Sequence, residues 1–245
     1  THNNRIGEFS YSIGGNISYN KNKVEDLGTS GPIIDDNWIQ EVGYAIGTFY
    51  GFKTDGLLTQ EDIDNGNYIT DGLTPKAGDV KYVDKNSDGK LTSADRDYIG
   101  CDVPDFTYGL NLAMQYKGFE LSIFGQGVSG TKVRFWQEQA WAFSDFASPR
   151  KYHLKRWTTE NSDPKADYPR IYPRTSAHST FNQKFSDFWL FNADYFRIKT
   201  INFGYSIPGK LLKPIGVNAL TVYVSAENPF TFRADKRMED FDPES

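Results

Sequence analysis

The sequence predicts an all-β chain: an antiparallel segment of a transmembrane β-barrel with long connections on one side. Three observations carry that expectation. Apolar and polar residues alternate with period two in run after run, those runs are nearly free of charge, and the connections between them are either very short or very long. Helical periodicity is nearly absent.

The first run, 9 to 20, reads "FSYSIGGNISYN". Phe9, Tyr11, Ile13, Ile17 and Tyr19 fall on one face, with Ser10, Ser12, Asn16, Ser18 and Asn20 on the other, as the pleat of a strand requires. A glycine-rich stretch, "VGYAIGTFYGF" at 42 to 52, is a further strand candidate. In "FTYGLNLAMQY", 106 to 116, Phe106, Tyr108, Leu110, Leu112, Met114 and Tyr116 stand opposite Thr107, Asn111, Ala113 and Gln115. Lys117-Gly118 then turns the chain into "FELSIFGQG", where Phe119, Leu121 and Ile123 alternate with Glu120, Ser122 and Gln126. Two alternating runs joined this tightly make a β-hairpin. "INFGYSI" (201 to 207) and "LTVYVSA" (220 to 226) complete the set.

A soluble β-sandwich and a membrane barrel both produce such alternation. The sandwich turns its polar faces to bulk water and carries Lys and Glu there, whereas the barrel turns its apolar faces to lipid and its polar faces to a lumen. The runs 9 to 20, 106 to 116 and 220 to 226 contain no charged residue, although 24% of the chain is charged. Small neutral polar residues fit a lumen better than a solvated face. Aromatics make up 16% of the chain and gather near run ends, as interfacial girdles require. The mean hydropathy of -0.60 is compatible, because only alternate residues of a barrel strand meet lipid.

Connection lengths agree. The turn at 117 to 118 is very short and the link at 208 to 219 modest, while 53 to 105, 129 to 192 and the stretch beyond 228 are long. Strand parity puts the long ones on one side, as in bacterial barrels with short periplasmic turns and long extracellular loops.

Composition removes other classes. The formal net charge is -5, from 27 basic and 32 acidic residues, which gives no basic footprint for nucleic acid. One cysteine, Cys101, and three scattered histidines, His2, His153 and His178, offer neither an internal disulfide nor zinc spacing. No run approaches the roughly 18 apolar residues of a spanning helix, and neither a signal peptide nor an initiator Met is present. The abrupt ends, Thr1 and "FDPES", suggest a piece of a longer protein.

"DKNSDGKLTSAD", 84 to 95, has the spacing of an EF-hand loop. Asp84, Asn86 and Asp88 occupy positions one, three and five, Gly89 position six, Lys90 position seven through its carbonyl, Thr92 position nine and Asp95 position twelve. Hard oxygen donors in that order suit Ca²⁺, and the glycine permits the bend. The preceding "GDVKY" reads as extended, so the entering helix is missing, and Asp95 replaces the usual bidentate Glu. The other reading is an Asx-rich turn holding no ion. In either case the loop is a stiffener and not a sensor, since no helix pair is available to open.

Other features invite sharper readings. Trp38, Trp136, Trp141, Trp157 and Trp189 could stack on sugar rings, or simply pack as girdle or loop core. "RKYHLKR", Arg150 to Arg156, could face an anion or be a solvated loop. Asp102 and Asp105 flank Val103-Pro104 with no nucleophile nearby, which reads as a turn and not an acid/base pair. No catalytic triad order and no phosphate-binding glycine loop occurs, so enzymatic activity is unsupported.

Several stretches in order, among them "VGYAIGTFYGFKTDGLL", "AGDVKYVDKNSDGKLTSADRDYIG", "PDFTYGLNLAMQYKGFELSIFGQGVSG", "SDFWLFNADYFRIKTINFGYSIPGKLL" and "LTVYVSAENPFTF", resemble the C-terminal barrel portion of SusC/RagA-type TonB-dependent outer-membrane transporters. The resemblance runs from about Phe9 to Glu244. It implies part of a 22-stranded, plugged barrel in the bacterial outer membrane. It further implies import of a nutrient, an oligosaccharide or a peptide, with a SusD-like surface lipoprotein and with TonB acting through a plug domain. The plug would precede Thr1 and a closing strand would follow Ser245, so the stretch 1 to 245 would not transport alone. The alternative from the residues is a soluble, calcium-stabilised β-sandwich binding module.

Overall fold

The computed structural model describes residues 1–144 and 147–244. In chain order its strands are β1 His2–Ile6, β2 Phe9–Tyr19, β3 Ile33–Asp35, β4 Trp38–Gln40, β5 Thr48–Phe52, β6 Thr54–Leu57, β7 Val80–Tyr82, β8 Arg96–Cys101, β9 Phe106–Tyr116, β10 Phe119–Ser129, β11 Lys132–Arg134, β12 Leu190–Asn192, β13 Tyr195–Ser206 and β14 Thr221–Arg233. The α-helices are short: α1 Gln60–Asp64, α2 Ala177–Asn182 and α3 Gly209–Leu212. The chain divides into two units. One holds Thr1–Asn20, Pro104–Gly130 and Asp194–Ala234; the other holds Lys21–Val103, Thr131–Ala193 and the tail from Asp235.

The first unit is one open antiparallel sheet in the order β1-β2-β9-β10-β13-β14. Strands β2, β9 and β10 are each 11 residues long, the length of a tilted membrane strand of roughly 9–11 residues. Lys117 and Gly118 sit at φ +48° and +87°, the two left-handed positions of a type I′ hairpin turn, whose twist matches the strands it joins. Register aligns the apolar sets. Ile13 lies opposite Leu112, Leu112 opposite Ile123, and Ile123 opposite Ile201, so one face is a continuous apolar surface. Phe9, Tyr116, Phe119 and Tyr205 form an aromatic row along the end with the short turns. On the other face the side chains of Ser122, Asn202 and Ser225 hydrogen-bond across three strands at 3.3 and 2.6 Å. No second sheet covers the apolar face within this unit: Ile17, Val222 and Phe232 are 72%, 58% and 59% exposed.

Three strand expectations need correction. The run 42 to 52 is not a barrel strand: only Thr48–Phe52 is extended, and it pairs with β4 and β8 in the second unit. Gly43 and Gly47, at φ +94° and +83°, turn the chain where alternation suggested a strand. Strand β2 pairs directly with β9, so the first long connection runs from Asn20 to Asp105. Strands β13 and β14 extend beyond the runs 201 to 207 and 220 to 226. A bulge places Lys199 between the paired residues Ile198 and Thr200, so Phe196 and Ile198 share the face of Ile201 and Phe203 despite opposite parity. Strand β1, "HNNRI", shows no alternation and is held through β2. The connections 20–105 and 130–194 and the stretch from 234 leave the sheet at one end, while 7–8, 117–118 and 207–220 join strands at the other.

The second unit builds its own interior. It carries a four-stranded sheet β3-β4-β5-β8 and the two-stranded pairs β6-β7 and β11-β12. One core gathers Leu57, Val80, Tyr82 and Leu91 with Trp157 and Phe181; another gathers Phe135, Tyr152, Tyr168, Trp189, Phe191 and Met238. Burying each such side chain contributes roughly 1.5–3 kcal/mol. Residues about a hundred positions apart meet in the first core, so the two long connections fold as one body.

Candidate functional site

A buried carboxylate organises the centre of the second unit. Asp79, wholly buried, accepts from the Lys76 amide at 2.8 Å, from Asn182 Nδ2 at 3.0 Å and from His178 Nδ1 at 2.8 Å. Asn182 in turn accepts from the Val80 amide at 2.8 Å, and Tyr82 Oη donates to the Phe181 carbonyl at 2.6 Å. These bonds clamp α2, whose N-cap is Ser176, against β7. The Tyr172 ring stacks on His178 with centroids 4.7 Å apart; burial, and then the Asp79 charge, push its hydroxyl pKa well up, so it stays neutral. Gly78, at φ +91°, lies where any Cβ would clash with the Trp157 ring.

Beside this clamp opens a cavity of about 500 Å³, within the range of ligand pockets. Its walls are the turn at 137–144, the stretch 171–174 and the C-terminal half of α2. The turn is held from behind. The Ala140 carbonyl accepts from Tyr152 Oη at 2.6 Å and pairs with His153 Nε2 at 2.9 Å, and the Ala142 amide donates to Tyr168 Oη at 3.1 Å. Burial, and secondarily the Arg150 charge, lower the His153 pKa and keep the ring neutral. Gln137 and Phe143 both take left-handed backbone angles, φ +48° and +62°, which cost side-chain-bearing residues energy and concentrate at binding sites. Trp141 Nε1 is buried with no hydrogen-bond partner. Alternation and motif spacing gave no sign of this cavity; the one signal was the presence of Trp141 among the five tryptophans.

The 84 to 95 loop takes the bend expected of it, with Gly89 at φ +74° and an extended entering strand, β7. Asp84 accepts from the amides of Ser87 and Gly89 at 2.6 and 2.8 Å, Asn86 Oδ1 from the Asp88 amide at 3.1 Å, and Asp88 Oδ1 from the Lys90 amide at 2.8 Å. These are nested Asx turns. Leu91 is buried and its amide donates to the Thr70 carbonyl, tying the loop to the core. Thr92 and Asp95 form a capping box, and buried Asp95 also accepts from the Lys85 amide at 3.1 Å. Asp84, Asn86 and Asp88 are thus brought together, with Asp95 turned inward. Among the described residues no group of three His, Cys, Asp or Glu side chains converges to hold a metal.

The other singled-out residues separate. Trp157 and Trp189 are core, Trp38 packs on Phe49 at 4.3 Å, Trp136 is 46% exposed under the Arg134 guanidinium, and Trp141 borders the cavity. Three cations of the basic run meet partners within their own unit: Lys151 pairs with Glu239, Lys155 with Asp167, and Arg150 lies 4.1 Å over the Phe241 ring. Asp102 sits in a bend, its amide donating to Gly47 O and its carbonyl accepting from Thr131 Oγ1.

Comparison with known proteins places this architecture. No protein-family model matches the chain. It is 27% identical over 235 residues to TonB-dependent receptor P3 of Formosa agariphila, covering 92% of this chain and 22% of that protein. It is 29% identical to TonB-dependent receptor P26 of the same organism, and 23% identical to TonB-dependent receptor SusC of Bacteroides thetaiotaomicron, covering 93% and 95% of this chain. The chain spans about a quarter of the length of these relatives. A solved structure of the RagAB peptide importer in its open-open state superposes with a TM-score of 0.65 at 19% identity, over 95% of this chain and 24% of the matched one. The resemblance to SusC/RagA-type TonB-dependent transporters therefore holds in sequence and in fold. The sheet of the first unit is an antiparallel barrel segment, and the relatives are named receptors and importers, not enzymes.

Proposed function

We propose that this chain forms part of the wall and the surface loops of an outer-membrane, TonB-dependent nutrient importer. The observation that carries it is the six-stranded sheet with an uncovered apolar face, a polar face behind, and an aromatic row along the turn end. Acyl chains are the solvent such a face requires, and the polar face then lines a lumen. The neighbouring strands of a 22-stranded barrel continue from the edges β1 and β14, the long connections face the cell exterior, and a plug domain elsewhere in the protein is pulled through TonB. The nutrient is an oligosaccharide or a peptide, and a SusD-like lipoprotein covers the exterior mouth.

The test is site-directed labelling of the full-length protein in membranes. Cysteine at Leu112 should react with a lipid-soluble reagent and cysteine at Asn111 with a water-soluble one. A cysteine at Leu112 that resists the lipid-soluble reagent overturns the reading and restores the soluble sandwich.

The loop at 84–95 takes Ca²⁺ as a stiffener in this reading. Oxygens of Asp84, Asn86 and Asp88, the Lys90 carbonyl, Thr92 and Asp95 are the donors, a hard set suited to that ion. What supports it is the spacing, the left-handed glycine and the anchoring of Leu91. Added Ca²⁺ should raise the melting temperature of the full-length protein over the EDTA-treated form, and Asp84→Ala should abolish the increment. An unchanged melting temperature leaves the nested Asx turns as the whole of the loop's function.

A further inference from the structure

We propose that the cavity beside α2 is a sugar-ring subsite in which the Trp141 indole is the stacking platform. The proposal rests on the importer reading and deepens it. Of the five tryptophans, Trp141 alone borders the cavity. Its Nε1–H is buried and makes no hydrogen bond within the protein. Around it the walls present neutral hydrogen-bonding side chains, Gln137, Ser179, Thr180 and Gln183. An aromatic plane with amides and hydroxyls at its rim matches a pyranose, which is apolar on its faces and hydroxylated at its edge.

The lining also selects against other ligands. None of the described lining residues is Asp or Glu, and Arg174 stands at the wall. The walls are a turn, an irregular stretch and a helix, so no strand edge is offered for the main-chain pairing by which extended peptides bind. The left-handed Gln137 and Phe143 both face this cavity, and the turn carrying them is fixed by Tyr152, His153 and Tyr168. The platform is thereby held in position before a ligand arrives.

The experiment uses the full-length transporter in detergent. Maltotriose, chitotriose, trigalacturonate and trialanine are each titrated while saturation transfer from protein to probe is followed by NMR, and cellular uptake of the same probes is measured in parallel. At least one saccharide should bind, with affinity falling tenfold or more in Trp141→Ala and in Gln183→Leu, and unchanged in Trp136→Ala, whose ring lies outside the cavity. Two variants guard against a folding defect in either. Equal saccharide affinity in wild type and both variants, or binding of trialanine alone, or of no probe, overturns the subsite. If saccharides are still imported at the wild-type rate by Trp141→Ala, the subsite falls and the importer reading stands. If no probe is imported by a strain carrying the intact protein while the cysteine at Leu112 resists the lipid-soluble reagent, the importer reading itself falls.

Discussion

The two units of this chain solve the same problem, where to put apolar side chains, in opposite ways. The loop unit buries them in itself: almost all fully buried apolar residues lie there, in two aromatic-rich cores. In the sheet unit only Tyr195 and Leu212 reach that degree of burial, while Ile17, Val224 and Phe232 stand 72%, 71% and 59% exposed. Patches of that kind on a water-soluble body mark interaction surfaces or aggregation hazards. On a barrel wall the burial is completed by lipid. Apolar side chains therefore form a core in one region and an uncovered face in the other, and the period of the pattern tells them apart.

The largest break in that contrast should come from the loop unit's core. Trp189 is buried and donates from Nε1 to the Asn182 carbonyl at 2.8 Å, so Trp189→Ala removes a core ring and orphans part of the α2 clamp. It should cost about 3–5 kcal/mol, read as lost hydrogen-exchange protection over 177–182, with the sheet unit unaffected. Protection lost equally in the sheet strands would mean that the two regions do not stabilise themselves separately.

The sheet should respond to charge and not to cavities. Leu112→Arg on the apolar face should cost about 2–4 kcal/mol in urea unfolding from phospholipid vesicles. Asn111→Arg, one residue away on the polar face, should cost far less. Equal costs would erase the distinction between the faces.

Acidification should weaken the loop unit through His153. Burial depresses its pKa, so it is neutral in the fold, while an unfolded histidine binds a proton below about pH 6.5. The unfolded state then holds more protons, and stability, complete above that pH, declines as the pH falls below it. Hydrogen-exchange protection at 137–153 against pH checks the sign; protection rising on acidification would refute it. The smallest effect should be at the Lys151–Glu239 pair, with side chains 67% and 65% exposed: Lys151→Ala should change stability by less than about 1 kcal/mol.

How much of this was legible follows from the range of the interactions concerned. Period-two alternation is a local property of the pleat, and it located β2, β9 and β10 and the hairpin at Lys117-Gly118 correctly. It failed wherever one residue reset the period. The Lys199 bulge hid the start of β13, and Pro229, which ordinarily argues against a strand, lies within β14 beside Asn228 at φ +50°. It also misread 42 to 52, where Gly43 and Gly47 turn the chain. The acidic spacing at 84 to 95 was plain in the sequence, but the inward turn of Asp95 was not, because its partners are backbone amides placed by the fold.

The sequence by itself determined which residues share a face, which face is apolar, and that the long connections leave the sheet at one end, since each depends only on the strand period and on counting strands. Tertiary structure alone decided that those connections fold together around Asp79, that Trp157 and Trp189 are core while Trp141 borders a cavity, and that Lys151 and Lys155 of the basic run pair with carboxylates of their own unit. Those outcomes depend on contacts between residues tens of positions to about a hundred positions apart, and no local pattern encodes which distant partner a side chain will meet.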